Sequence, residues 1–245
     1  IFMNRHSHTS KLAGGGGLRG LLYSKEQEIL PLEAGTYVGV SIGAVDSAFH
    51  SRRQFERKHG PQPQGPDVSK KSFTETANRL ANALNGDGWL DHLRYVREAR
   101  KLYRGFLGEA FFDQGPITQI LRELFGTMKV EEFYNLRVMV SDFLNSERIV
   151  IASDNDYRTM PISYALEETT AFPLAFRPVR KDGHVRVDGG LDVTPIRLAA
   201  EGSADFIWAT LLNLYVPKLQ DIDGSGPLGK IRLAYRMYEV LQRDA

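Results

Sequence analysis

Short apolar runs and helix-period segments take turns along this chain, and that alternation leaves few architectures open. A strand followed by a helix can pair with the next strand only after a crossover of a dozen or more residues. Such pairing is parallel and covers both faces of the sheet with helices. Residues 9–13 read as a strand entering four glycines, 18–30 as a helix stopped by Gly35, 37–40 as a brief strand, and 42–59 as a helix ending at Gly60. Residues 89–107 place Trp89, Leu93, Val96, Tyr103 and Phe106 close to helical spacing. Another helix opens at Pro116, runs to Phe125 and closes at Gly126. Residues 136–142 and 148–153 read as a strand pair, and Lys181-Asp182-Gly183 as a hairpin turn. Residues 204–211 read as a buried strand, and a last helix begins near Leu228.

A chain of 245 residues suits one large domain or at most two small ones. No internal repeat divides it. The expectation is a single domain over 1–245, with a loop or disordered insertion near 58–71 and a helical cap-like region near 72–110. Residues 58–71 hold three prolines, two glycines and a single aliphatic side chain, Val68. The 31 basic and 30 acidic side chains nearly cancel, so any electrostatic argument has to be local. The absence of cysteine excludes a disulfide scaffold, a thiolate metal site and a cysteine nucleophile. No run approaches the ~18 apolar residues of a membrane span. The polar, His-rich first twelve residues do not read as a signal peptide. The expected location is therefore cytoplasmic or membrane-peripheral, with secretion still compatible.

Gly14 to Gly17, then Leu18-Arg19-Gly20, sit between a strand and a helix. Bare backbone N–H groups in such a loop can approach an anion. Three readings stay open here: a tight turn, an oxyanion hole, or the dinucleotide pattern GxGxxG through Gly15, Gly17 and Gly20. The last requires an acidic residue about 20 positions on, at the end of a second strand. Glu26 and Glu33 instead fall in helical context before that strand. No Lys-Ser or Lys-Thr pair follows, which excludes a nucleoside-triphosphatase loop.

Gly39-Val40-Ser41-Ile42-Gly43 is GxSxG between an apolar strand and a helix, the context that a nucleophile elbow needs. Small residues two positions either side of the serine avoid a clash with each other, and the helix N-terminus behind it favours developing negative charge. A serine nucleophile needs a base. Of the histidines only His184 lies late enough in the chain for the order serine, acid, histidine, and it sits one residue past the Asp182-Gly183 turn, a surface position. No histidine follows Asp188, so a three-member triad fits poorly. Asp188 ends a short strand and is followed by Gly189 and Gly190, which lets its carboxylate project toward the sheet edge where ligands collect.

Taken together these segments resemble the patatin-like phospholipase family. Gly15 to Gly20 resembles its glycine-rich oxyanion loop, Gly39 to Gly43 with Ala44-Val45-Asp46-Ser47-Ala48 its elbow, and Asp188-Gly189-Gly190 through Pro195 its DGG segment. Phe112-Asp113 through Leu121 and Thr170 through Val179 match further family segments. The resemblance implies a three-layer α/β/α sandwich with a mostly parallel central sheet. It also implies a dyad in which Ser41 attacks the acyl carbonyl and Asp188 takes its proton and later activates water. Backbone N–H groups at Gly15, Gly16 and Gly17 would bind the oxyanion, Arg19 would help hold that loop, Gly39 and Gly43 would form the elbow, and Gly189 and Gly190 would support the acid. The implied substrates are acyl esters of phospholipids or other glycerolipids, with no metal or organic cofactor. Val40 and Ile42 replace the family's usual Thr and Ala, and the Asp188 segment is one residue short and lacks its Asn. These departures motivate an alternative: a lipid-binding protein on the same fold with weak or no turnover. A direct aspartate base, unless burial raises it, keeps activity to lower pH than a histidine base would.

Arg52, Arg53, Arg57, Lys58, Lys70 and Lys71 outnumber Glu56 and Asp67 over residues 51–71, and Arg94, Arg97, Arg100, Lys101 and Arg104 share the 89–107 segment. A basic amphipathic surface of this kind can lie on anionic lipid headgroups, in which case vesicle binding weakens with salt. The alternative is a solvated outer face. No nucleic-acid motif accompanies the cations, so no nucleic-acid partner is expected.

Overall fold

The computed structural model describes residues 9–14, 33–60, 75–76, 78–80, 114–173, 176–191, 196–201 and 205–210. Its central sheet contains β1 (Thr9–Ala13), β2 (Thr36–Val40), β3 (Leu136–Asp142), β4 (Glu147–Ala152), β5 (Val179–Lys181), β6 (His184–Asp188) and β7 (Phe206–Thr210). The order is β5-β6-β3-β2-β1-β7, with β4 also paired to β3. Pairs β7–β1, β1–β2 and β2–β3 are parallel, while β4 and β6 run antiparallel to β3 and β5 antiparallel to β6. Five of the seven strands thus point the same way, the α/β fold expected.

Helix α1 (Ile42–His59) follows β2 directly and stops at Gly60, whose φ of 79° is a left-handed conformation that glycine adopts without strain. Helix α2 (Gly115–Phe125) carries proline in its first turn and is closed by Gly126, whose N–H donates to the Arg122 carbonyl at 2.7 Å. Helix α3 (Ile162–Thr169) and the short α4 (Ile196–Ala200) complete the described helices.

Alternation along the parallel strands explains the layers. Ala13 and Tyr37 join Val45, Phe49, Leu121, Phe125 and Leu166 in one core cluster, on the face covered by α1, α2 and α3. Leu12 and Val38, one residue out of phase, pack with Leu198 and Ala199 of α4 on the other face. All residues of β1 and β2 are buried, as expected for strands covered on both sides.

β7 departs from its expected burial. It lies at the end of the strand order, with Ile207 and Trp208 half-buried and Ala209 exposed. The 18–30, 89–107 and C-terminal helices, the cap-like region apart from its helical residues 75–76 and 78–80, and most of the 58–71 insertion lie outside the described residues. The basic surface needs one correction. Arg52 is 1% exposed; its Nε donates to Glu56 at 2.8 Å and its Nη1 to the Glu132 carbonyl at 3.0 Å. It holds α1 against the chain before β3 and cannot meet a headgroup. Arg57 pairs with Glu33 at 2.8 Å, and the Lys58 ammonium lies 3.7 Å from the centre of the Tyr134 ring.

Candidate active site

The register of β3 brings the two chemical residues together. β4 pairs with β3 from Arg137 to Asp142 and so takes one whole edge of that strand. The other edge is shared: β2 occupies it up to Val40 opposite Met139, and β6 from Asp188 opposite Val140. The strands approach from opposite directions and meet end to end, so Ser41, just past β2, faces Asp188, the last residue of β6. Gly189 makes this junction possible. A side chain there would run into the Met139 carbonyl and Val40.

Ser41 has φ 54° and ψ −132°, a strained conformation for a residue bearing a side chain. The elbow is held by close packing. A Cβ on Gly39 would fall on the Ala44 backbone, and one on Gly43 would fall on the carbonyls of Ala13 and Gly14. The start of the glycine run therefore lies against the elbow, at the carboxyl ends of adjacent parallel strands where α/β sheets bind ligands. Gly15, Gly16, Gly17 and Arg19 lie outside the described residues. Ile42 is half-buried and packs against the larger core cluster.

The Ser41 side chain lies near enough to the Asp188 carboxylate to favour its charged form. Asp188 is 3% exposed; its Oδ1 accepts the Gly190 N–H at 2.7 Å, and its own N–H donates to the Ala171 carbonyl at 3.0 Å. Burial pushes the carboxyl from 3.8 up to about 6, with Ser41 and the Gly190 N–H offsetting only part of the effect. That places it near the ordinary range of a histidine, the case in which burial erases the low-pH advantage of an aspartate.

His184 is confirmed in a hairpin position. It opens β6, and its Nδ1 lies 2.6 Å from Asp142, four residues from Asp188. The His184 hydrogen bond, with help from the Asn145 side chain and two backbone amides, holds Asp142 well below the usual carboxylate range.

Two arrangements escape a reading by motif. Thr169, at the end of α3, accepts the Ser41 N–H on its hydroxyl at 3.0 Å and donates to the Met139 carbonyl at 2.6 Å. The adjacent Glu168 takes both bonds from Arg186 Nη1, at 2.9 and 2.8 Å, two residues before Asp188. The end of α3 thus grips both halves of the site. Beneath the elbow, Lys11 Nζ donates to buried Asp46 at 2.8 Å, and His50 Nε2 lies 3.1 Å from the same carboxylate. Although burial pushes Asp46 up, Lys11 and His50 bring it below its ordinary value; burial itself lowers His50. A lysine in the middle of a short strand and an Asp46–His50 pair one helical turn apart were the available signals for this second network.

Fold and site define an α/β protein of the elbow type, with a strained serine set against a buried carboxylate at the sheet's carboxyl edge. The chain matches the family model described as patatin-like phospholipase over residues 36–200 and belongs to that family. The match begins at β2 and leaves the glycine run outside it. Among solved structures, VipD from Legionella pneumophila is similar at 15% identity with a TM-score of 0.36, over 75% of this chain and 46% of that one. The chain thus spans less than half the length of that protein. No curated protein matches it. Among the described residues, no group of three or more His, Asp or Glu side chains could hold a metal ion, and no helix is long and apolar enough to cross a membrane.

Proposed function

We propose that this chain is a serine hydrolase that cleaves acyl ester bonds of phospholipids or other glycerolipids through a Ser41–Asp188 dyad. The observation that supports the reading is the strained serine placed by strand register beside a buried carboxyl raised to about 6. A carboxylate in that range is a stronger base than an exposed aspartate, yet still ionised at neutral pH. Ser41 attacks the acyl carbonyl as its proton passes to Asp188. The tetrahedral intermediate collapses, and Asp188 returns the proton to the departing alcohol. Asp188 then deprotonates a water that attacks the acyl-enzyme, and as the second tetrahedral intermediate collapses it returns that proton to the Ser41 oxygen and the fatty acid leaves.

The Ser41 amide is engaged by Thr169, so the oxyanion requires other donors. The reading assigns them to the N–H groups of Gly15, Gly16 and Gly17, which follow Gly14 beside the elbow, with Arg19 holding that loop. No cofactor is invoked, and the partner is the acyl-ester lipid. The packing of Ile42 against the larger core cluster favours turnover over the non-hydrolytic lipid binder. Hydrolysis of short acyl esters by the purified chain tests the reading. Ser41→Ala and Asp188→Asn should each abolish it while leaving the protein folded. A folded wild-type protein that cleaves no ester overturns it.

A further inference from the structure

Two hairpins extend past the Ser41 end of the sheet. β3 continues beyond Met139, turns at residues 143–146 and returns as β4. The Asp182-Gly183 turn of the β5–β6 hairpin projects at the same end, where the Phe143 N–H donates to the Val185 carbonyl at 2.8 Å. At the β3–β4 tip two adjacent large apolar side chains stand in water: Phe143 is 66% exposed and Leu144 61%. Their exposure is built in. Buried Asp142 at the base of the turn accepts the Leu144 N–H at 3.1 Å, the Asn145 side chain at 2.6 Å and the Val185 N–H at 3.3 Å, with His184 at 2.6 Å. A turn pinned in this way cannot fold its apolar pair back onto the sheet.

We propose that this tip is a wedge that enters the surface of a glycerolipid bilayer and brings the Ser41 cleft up to it. The assignment of a lipid occupant rests on the acyl-hydrolase reading. Phe143 lies four residues past Met139, the partner of Val40, hence about 13 Å beyond the end of β2 at ~3.3 Å per residue. An interfacial element sinks roughly 5–10 Å into the headgroup–acyl boundary. The remaining gap is a few ångströms, within the depth of a headgroup layer, so the ester region comes within reach of the cleft. Exposed Arg148, Arg180 and Lys181 flank the tip and suit lipid phosphates. Glu147 and Asp182 nearly balance them, so the apolar pair and not net charge drives the contact. A stable protein interface needs about 800 Å² from each partner, far more than two side chains offer.

The test uses the full chain carrying Ser41→Ala, so that binding is read without turnover. Sedimentation with phosphatidylcholine vesicles should pull the protein down almost equally at low and high salt. Adding Phe143→Ser and Leu144→Ser should weaken partitioning about tenfold or more. Phe143→Trp, which keeps the tip apolar, should shift its emission to the blue on vesicles and be quenched by brominated lipid. In the active background, the double serine variant should lose vesicle hydrolysis by a similar factor and keep hydrolysis of a soluble short-chain ester. Unchanged partitioning of the double variant, indole emission from the Phe143→Trp variant that brominated lipid leaves unquenched, or binding abolished by salt each overturns the proposal. So does a change from oligomer to monomer on removing the apolar pair, which would assign the tip to a second copy of this chain. If the wild type cleaves no soluble ester, the hydrolase reading fails, while sedimentation and quenching still decide whether the tip meets lipid.

Discussion

At Asp188 the demands of chemistry and stability oppose each other. Its carboxyl ionises at about 6 in the folded protein against an ordinary 3.8, so folding takes up protons between those values. The stability this group contributes is complete below about pH 4 and is lost as pH rises through about 6. Above that, the shift corresponds to a cost of about 3 kcal/mol for holding a buried charge. Asn fills the same space without that charge, its Oδ1 able to keep the Gly190 N–H bond while its amide nitrogen only donates. Asp188→Asn is therefore expected to be more stable than wild type above about pH 7, by up to ~3 kcal/mol, and no more stable below about pH 4. Urea unfolding at the two pH values checks this. An equal difference at both would place the effect elsewhere. Of the residues at this scale, Ser41 and Asp188 were legible because GxSxG and DGG mark them. Thr169 was not, because a hydroxyl that satisfies a backbone amide leaves no trace in residue spacing.

Helix α3 shows the same limit at the level of the element. Strands and helices bounded by glycine or proline could be read to within a residue or two: β2 before the elbow, α1 up to Gly60, α2 between Pro116 and Gly126, and the hairpin around Asp182-Gly183. α3 could not, because half of its buried face is polar. Ser163, Glu168 and Thr169 are buried beside Ile162, Ala165 and Leu166, which hides the helical period of its apolar residues. Those polar groups are the ones that grip the site. Thr169→Val keeps the shape of the side chain and removes the hydroxyl between Ser41 and Met139. It should slow acylation of Ser41 by roughly 10–100-fold, mostly in kcat, because the elbow loses its tether to β3. Thr169→Ser should restore most of the rate. Single-turnover ester cleavage distinguishes the two; if valine keeps the wild-type rate where serine loses it, the threonine acts through its methyl packing and not through its hydroxyl.

Across the whole molecule, alternation of strand and helix forecast the covered sheet, but not that β2 and β6 share one edge of β3. That arrangement depends on register: β2 pairs with β3 at four positions, β6 at the next three, and a glycine sits at the junction. It brings residues 41 and 188 into contact and leaves the hairpin tips standing beyond them. The basic surface was overestimated for a related reason. A cation counted from sequence can be spent inside the fold, as Arg52 is on Glu56 and the Glu132 carbonyl.

Whether Asp188 serves as the base for Ser41 is measured most directly by the pH dependence of fluorophosphonate labelling. Mass spectrometry should locate the adduct on Ser41. The labelling rate should rise with pH to a plateau, with an apparent pKa near the value of about 6 held by the buried carboxyl, and should be lost in Asp188→Asn. A rate that stays flat through that range, or labelling of Ser41 undiminished by Asp188→Asn, would contradict it.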